Sequence, residues 1–216
     1  NTFDADGVRV RSEVGGAVTN YLVDSNLPFS QVLEERDGAG AVKAQNVFGL
    51  DLIRRNEGGQ QSYFHVDAQK NVRQLTDGAG AVSDTYSYDG FGSLLNRSGT
   101  SPNPYLFAGE RFDAPLGEYN LRARFYDPRI GRFSSIDPAS PDVNDPRSLN
   151  RYVYSFSDPI NRRDPSGRSS LGETMISVSI VGILAQLALP GCSVQEPVLN
   201  LDYSQLEDTT PNPPQE

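Results

Sequence analysis

The chain has 216 residues, a formal net charge of -9 and a pI of about 4.6, which argues against nonspecific nucleic-acid binding, since that needs a basic face. A single cysteine excludes a disulfide within the chain; one cysteine with one histidine excludes ordinary zinc sites and argues against a Cys/His nucleophile pair. The length allows one sizeable core, or about one and a half ordinary domains.

Residues 1–98 repeat themselves. Asp37-Gly38-Ala39-Gly40-Ala41-Val42 returns unchanged as Asp77-Gly78-Ala79-Gly80-Ala81-Val82, an offset of 40 residues, and a looser version opens the chain at Asp4-Ala5-Asp6-Gly7-Val8. Asp-Gly and Ala-Gly steps supply the positive φ of tight hairpin turns. The flanks alternate as strands do, with Val72 and Gln74 on one side of the second copy and Val82, Asp84, Tyr86 and Tyr88 on the other. Repeats of this length mean stacked supersecondary units that do not fold singly. The chain starts at Asn1 in the middle of this pattern, so it is expected to be the C-terminal part of something longer. Residues 98–104 read as a Gly/Pro/Ser/Asn linker, too short for a hinge, and the segments on its two sides are expected to share one sheet.

Residues 105–167 carry aromatics at short intervals, with five Asp-Pro pairs among them at Asp127, Asp137, Asp145, Asp158 and Asp164. Proline pushes the residue before it into extended backbone, and an aspartate there also starts a turn. The expectation is short β-segments between stiff turns, with Tyr and Phe packing in the core and across strands rather than forming a carbohydrate platform. Residues 110–168 hold ten arginines against nine acidic residues, a balance that predicts internal ion pairs and not a phosphate-binding patch.

Beyond Gly167 the texture changes. Ser170 and Glu173 have capping-box spacing, an Ile/Leu stripe follows, and Pro190-Gly191 ends it, which predicts one helix over residues 171–189. The apolar run 174–189 is short of the about 20 residues a membrane span needs, so burial against the protein is expected rather than membrane contact. Residues 193–216 carry acids and prolines but no Lys or Arg, and read as a disordered acidic tail.

Several motifs of the central segment, taken in order, resemble the core domain of RHS and YD-repeat proteins. They are Phe107-Ala108-Gly109-Glu110-Arg111-Phe112-Asp113, Leu121-Arg122-Ala123-Arg124-Phe125-Tyr126-Asp127-Pro128, Gly131-Arg132-Phe133, Asp137-Pro138, Tyr152-Val153-Tyr154, and Pro159 through Asp164-Pro165-Ser166-Gly167. Upstream, Tyr86-Ser87-Tyr88-Asp89-Gly90-Phe91-Gly92 resembles a YD repeat, and Tyr63-Phe64-His65-Val66-Asp67 does so more loosely. The resemblance implies an all-β fold, a curved or spiral antiparallel sheet of YD hairpins (1–98) capped by a core domain (99–167) and followed by a variable region (168–216). It implies a structural role in closing a shell, in a bacterial cell-surface or secreted toxin-type protein. The partners it implies are the rest of the same polypeptide and an encapsulated C-terminal effector; no cofactor is implied. In that family the core domain also cuts its own chain just after the Asp-Pro-x-Gly sequence, using two aspartates. One carboxylate activates water and the other protonates the scissile carbonyl. By motif these are Asp137 and Asp164, with Arg132 as the orienting cation and the cleavage site at Gly167 and Arg168. The family continues with Leu where this chain has Arg168, and an apolar pocket would reject a charged side chain. The residues alone equally allow Asp137 and Asp164 to be turn starters like the other three Asp-Pro aspartates. Residues 168–216 are too few for an ordinary enzyme domain; a membrane-active tail is the remaining toxin reading.

Overall fold

In a computed structural model, residues 1–141 and 143–168 are described, and they fall within one compact unit, Asn1–Ser177. The helix expected at 171–189 and the acidic tail at 193–216 lie outside the described residues.

Ten strands follow one another: β1 (Thr2–Phe3), β2 (Arg9–Val14), β3 (Ala17–Asp24), β4 (Gln31–Asp37), β5 (Val42–Phe48), β6 (Leu52–Glu57), β7 (Gln60–Val66), β8 (Val72–Thr76), β9 (Val82–Tyr88) and β10 (Leu94–Ser98). Each pairs antiparallel with the next, giving one meandering sheet in sequence order. A second sheet contains β11 (Arg111–Asp113), β12 (Glu118–Leu121), β13 (Arg124–Asp127) and β14 (Arg132–Phe133), again in sequence order. The described residues are thus all-β and antiparallel, as the alternation predicts. One expectation is corrected: the repeats and the core segment form two sheets, not one. Between β10 and β11 the chain folds back, because the buried Asp84 carboxylate takes the Ser101 amide at 3.0 Å and the Ser101 hydroxyl, and Gly99 turns at φ +85 directly against Asp84. That linker is therefore anchored onto β9.

The repeat turns follow one pattern. In Asp37-Gly38-Ala39-Gly40-Ala41 the Asp37 carboxylate accepts the amides of Ala39 and Ala41, both at 2.9 Å. Asp77 does the same for Ala79 and Ala81, and Asp89 for Phe91 and Ser93. The residue three after the aspartate takes positive φ: Gly40 at +89 and Gly80 at +83, whereas Gly38 and Gly78 do not. It is the Ala-Gly step, not the Asp-Gly step, that needs glycine. Asp67 builds the same turn with Lys70 in that slot at φ +67, which glycine spacing does not reveal. The turns after β2 and β6 are two-residue Gly-Gly loops, Gly15-Gly16 and Gly58-Gly59, with positive φ throughout, as the primed hairpin turns require.

The two sheets meet in two chemically different zones. In the first, β8 and β9 present Val72, Leu75, Tyr86 and Tyr88 to Leu106, Phe107, Tyr119, Leu121, Tyr126, Phe133 and Tyr154. Phe107 is the hub, its ring 5.9–6.5 Å from those of Tyr88, Tyr119, Tyr126 and Tyr154. The hydroxyls of Tyr119 and Tyr126 donate to the carbonyls of Gly92 and Phe91 at 3.0 and 2.7 Å, so the Asp89 turn is held from the core side. The aromatics are core, as the alternation predicts. In the second zone, β2 to β6 present Arg9, Glu35, Asn46 and Arg55, all buried. Glu35 takes Arg55 at 2.7 Å and Arg111 at 2.5 Å, and Arg9 reaches Asp113 at 2.7 Å. Burial opposes ionisation of Glu35, but Arg111 and then Arg55 outweigh it and hold the carboxyl down to about 2.

Candidate functional site

β13 begins at Arg124, and its inward phase is Arg124 and Tyr126. An arginine in the buried phase of a strand needs compensation for its lost hydration. Its guanidinium lies over the Phe133 ring, 3.5 Å from the centroid, and is 3% exposed. Nη2 makes ion pairs with both Asp137 (2.7 Å) and Asp164 (3.2 Å). Nη1 donates to the Arg151 carbonyl at 3.0 Å, and Nε donates to the Gly167 carbonyl. Burial pulls the Arg124 guanidinium below its ordinary value, and the two carboxylates oppose that fall.

Both aspartates divide their oxygens between two tasks. Asp137 Oδ1 accepts the Ala139 amide at 2.8 Å, the turn-starter bond, while Oδ2 faces Arg124. Asp164 Oδ1 accepts the Ser166 hydroxyl at 3.1 Å and the Arg168 amide at 3.2 Å, while Oδ2 faces Arg124. The other Asp-Pro aspartates have local partners: Asp127 bonds Arg129, Asp145 bonds Arg147, and Asp158 bonds Asn161. Asp137 and Asp164 are turn starters that also reach a distant cation. Because both touch one nitrogen, their Oδ2 atoms are within about 6 Å of each other, a span that one bridging water can cover.

Arg132 is not at this cluster. It is exposed on β14, where its backbone pairs with Asp127 and Val153. The cation between the aspartates is Arg124, a correction with a simple cause. Side chains alternate along β14, so burying Phe133 against Arg124 and Tyr126 turns Arg132 outward. The signal available in the sequence was the phase of Leu121-Arg122-Ala123-Arg124-Phe125-Tyr126, which puts Arg124 on the same face as Tyr126. Arg151 is a further residue that the sequence reading passed over. Its carbonyl accepts from the Asp137 amide at 3.0 Å as well as from Arg124, and its guanidinium returns a bond to the Asp137 carbonyl.

Gly167 closes the cluster. It takes φ +65, and a Cβ there would stand 2.2 Å from the Leu121 carbonyl oxygen. Only glycine lets this peptide lie against the β12–β13 turn. The Gly167–Arg168 amide is thus held at both ends, its oxygen by Arg124 and its N–H by Asp164 and by the Ser166 hydroxyl at 3.0 Å. The Arg168 side chain is exposed. Among the described residues no cluster of His, Cys, Asp and Glu forms a metal site, and no helix is long and apolar enough to cross a membrane.

The family model described as Teneurin YD-shell matches residues 47–160, more than half of the chain. The chain belongs to this family. The match spans the repeat hairpins from β6 onward, the aromatic hub and the Arg124–Asp137 part of the cluster, and is consistent with the RHS/YD-repeat resemblance of the sequence motifs. A curated relative, the tRNA3(Ser)-specific nuclease WapA of Bacillus spizizenii, is 32% identical over 170 residues, 76% of this chain and 7% of that protein. The double-stranded DNA deaminase toxin A of Burkholderia cenocepacia is 29% identical over 184 residues, 81% of this chain and 12% of that protein. Among solved structures, the TcdB2-TccC3-Cdc42 crystal structure superposes with a TM-score of 0.56 at 18% identity, over 76% of this chain and 9% of that one. This YD-shell chain therefore spans only 7–12% of the length of these proteins, and the structural match speaks for the fold.

Proposed function

We propose that this chain is the closing segment of a YD shell in a longer, extracellular toxin-type polypeptide, with residues 99–167 as the cap and the region from 168 onward as the part the cap delivers. Supporting this are the YD-shell membership, toxin names among the relatives, and the way the core sheet is docked onto the last repeat turn through Tyr119 and Tyr126.

A second reading rests on one specific observation: Arg124 holds Asp137, Asp164 and the Gly167 carbonyl together. In this reading the cap cuts its own chain at Gly167–Arg168. Arg124 Nε–H polarises the Gly167 carbonyl and stabilises the oxyanion that forms there. Asp137 accepts a proton from the attacking water, and a protonated Asp164, already beside the Arg168 nitrogen, gives that nitrogen a proton as the C–N bond breaks. The test is the intact mass of purified protein over days. Self-cleavage gives two fragments that sum to the 23.6 kDa chain plus one water. Asp137→Asn and Asp164→Asn each leave one species while preserving the wild-type far-UV signal. A wild-type chain that stays whole from expression through prolonged incubation leaves the cap reading alone. The mass of the released piece reports whether the bond is before or after Arg168.

A further inference from the structure

Between the inner face of the ten-stranded sheet and the core segment lies a cavity of about 470 Å³. This is within the range of sites for small organic ligands, about 300–1,000 Å³. Its walls are largely apolar, with Val23, Phe29, Val32, Leu52, Phe64 and Val66 among them. Five cations also line it: Arg9, Lys70, Arg111, Arg122 and Arg163. Four of these have carboxylate partners. Arg9 pairs with Asp113, Lys70 with Asp51, Arg111 with Glu35, and Arg122 with Glu110.

Arg163 is different. Among the described residues it has no hydrogen bond, ion pair or ring contact, although it is half-buried. The acids that its charge feels, Glu110, Asp51 and Asp67, are already engaged by Arg122, Lys70 and Arg73. Burial lowers its affinity for the proton, so its charge is held there at a cost. A surplus guanidinium at an apolar cavity is complementary to an anionic group on an apolar body.

We propose that this cavity is a binding site for a small amphipathic organic acid, with its carboxylate on Arg163 and its hydrocarbon body against the Val23–Phe29–Leu52 wall. The inference is independent of self-cleavage: it needs neither Asp137 nor Asp164.

The experiment is calorimetric titration of the full-length chain with decanoate, decanol and acetate. Decanoate binds saturably at one site. Decanol, with the same body and no charge, binds more weakly by about ten-fold or more, the scale of a hydrogen bond to a charged group. Acetate, with the charge and no body, does not bind measurably. Arg163→Met removes the preference for decanoate over decanol, and Arg163→Lys keeps most of it. Leu52→Trp, which fills the cavity from the sheet side, blocks both decyl probes. Circular dichroism of each variant checks that it is folded. Equal binding of decanoate and decanol, no binding of decanoate, or an unchanged preference in folded Arg163→Met would each overturn the proposal.

Discussion

The two zones in which the sheets meet use opposite chemistry for one task. At β8 and β9 the contact is a cluster of rings around Phe107; at β2 to β6 it is a buried network of Arg9, Glu35, Asn46, Arg55 and Arg111. Apolar packing stabilises without direction. A buried ion network adds little net stability over well-packed apolar residues, but it penalises any register that leaves a charge without its partner. The aromatic zone supplies adhesion and the ionic zone supplies register.

The sharpest way to break this comparison is to remove the core altogether. Residues 1–98 expressed alone lose Arg111 from Glu35 and Asp113 from Arg9, and expose Val72, Leu75, Tyr86 and Tyr88; we expect no cooperative thermal transition in that fragment. A cooperative melt would show that the repeats fold without the core segment. Next comes Phe107→Ala, which removes the hub ring and is expected to cost about 3–5 kcal/mol in urea unfolding.

The ionic zone has a distinct acid signature. Glu35 falls from its ordinary 4.5 to about 2 in the folded protein, so the unfolded chain takes up its proton first as pH drops. The stabilisation is complete above pH 4.5 and is lost progressively as pH falls towards 2, by about 3 kcal/mol. Glu35→Gln should remove this part of the pH dependence and cost stability at neutral pH, since Arg111 then stays buried without its acid. A Glu35→Gln chain whose acid-unfolding curve overlays the wild type would show that the network is not what couples the zones. The smallest effect belongs to a single hairpin. Asp77→Ala removes two carboxylate–amide bonds at an exposed turn and is expected to cost about 1 kcal/mol, readable as a small shift of the urea midpoint.

What was legible in the sequence is what local spacing controls. The Asp37 and Asp77 turns, the strand phase of Asp84, Tyr86 and Tyr88, and the core role of the aromatics all follow from residues within one hairpin. Lys70 was hidden because its left-handed backbone is imposed by Asp67 and the flanking pair, where composition suggests no turn glycine. Arg124 was hidden because its partners, Asp137 and Asp164, come from separate turns, and such long-range pairing leaves no period to read. Arg132 was the natural nominee beside Phe133, but alternation sends neighbouring side chains to opposite faces. The split into two sheets depends on Asp84 capturing Ser101, a contact between a strand and a linker that no repeat pattern encodes.

The identical Asp37 and Asp77 turns are four strands apart, linking β4 to β5 and β8 to β9 along the same edge. Neighbouring strands are spaced by about 4.8 Å, so one 40-residue unit lengthens the sheet by about 19 Å. A wall made this way grows in fixed increments. Duplication or loss of one unit in a gene would lengthen or shorten the sheet by a whole step, while strand register and the Asp89 docking turn stayed as they were. On the shell reading proposed above, the size of the enclosed space would follow copy number, with no change at the docking turn.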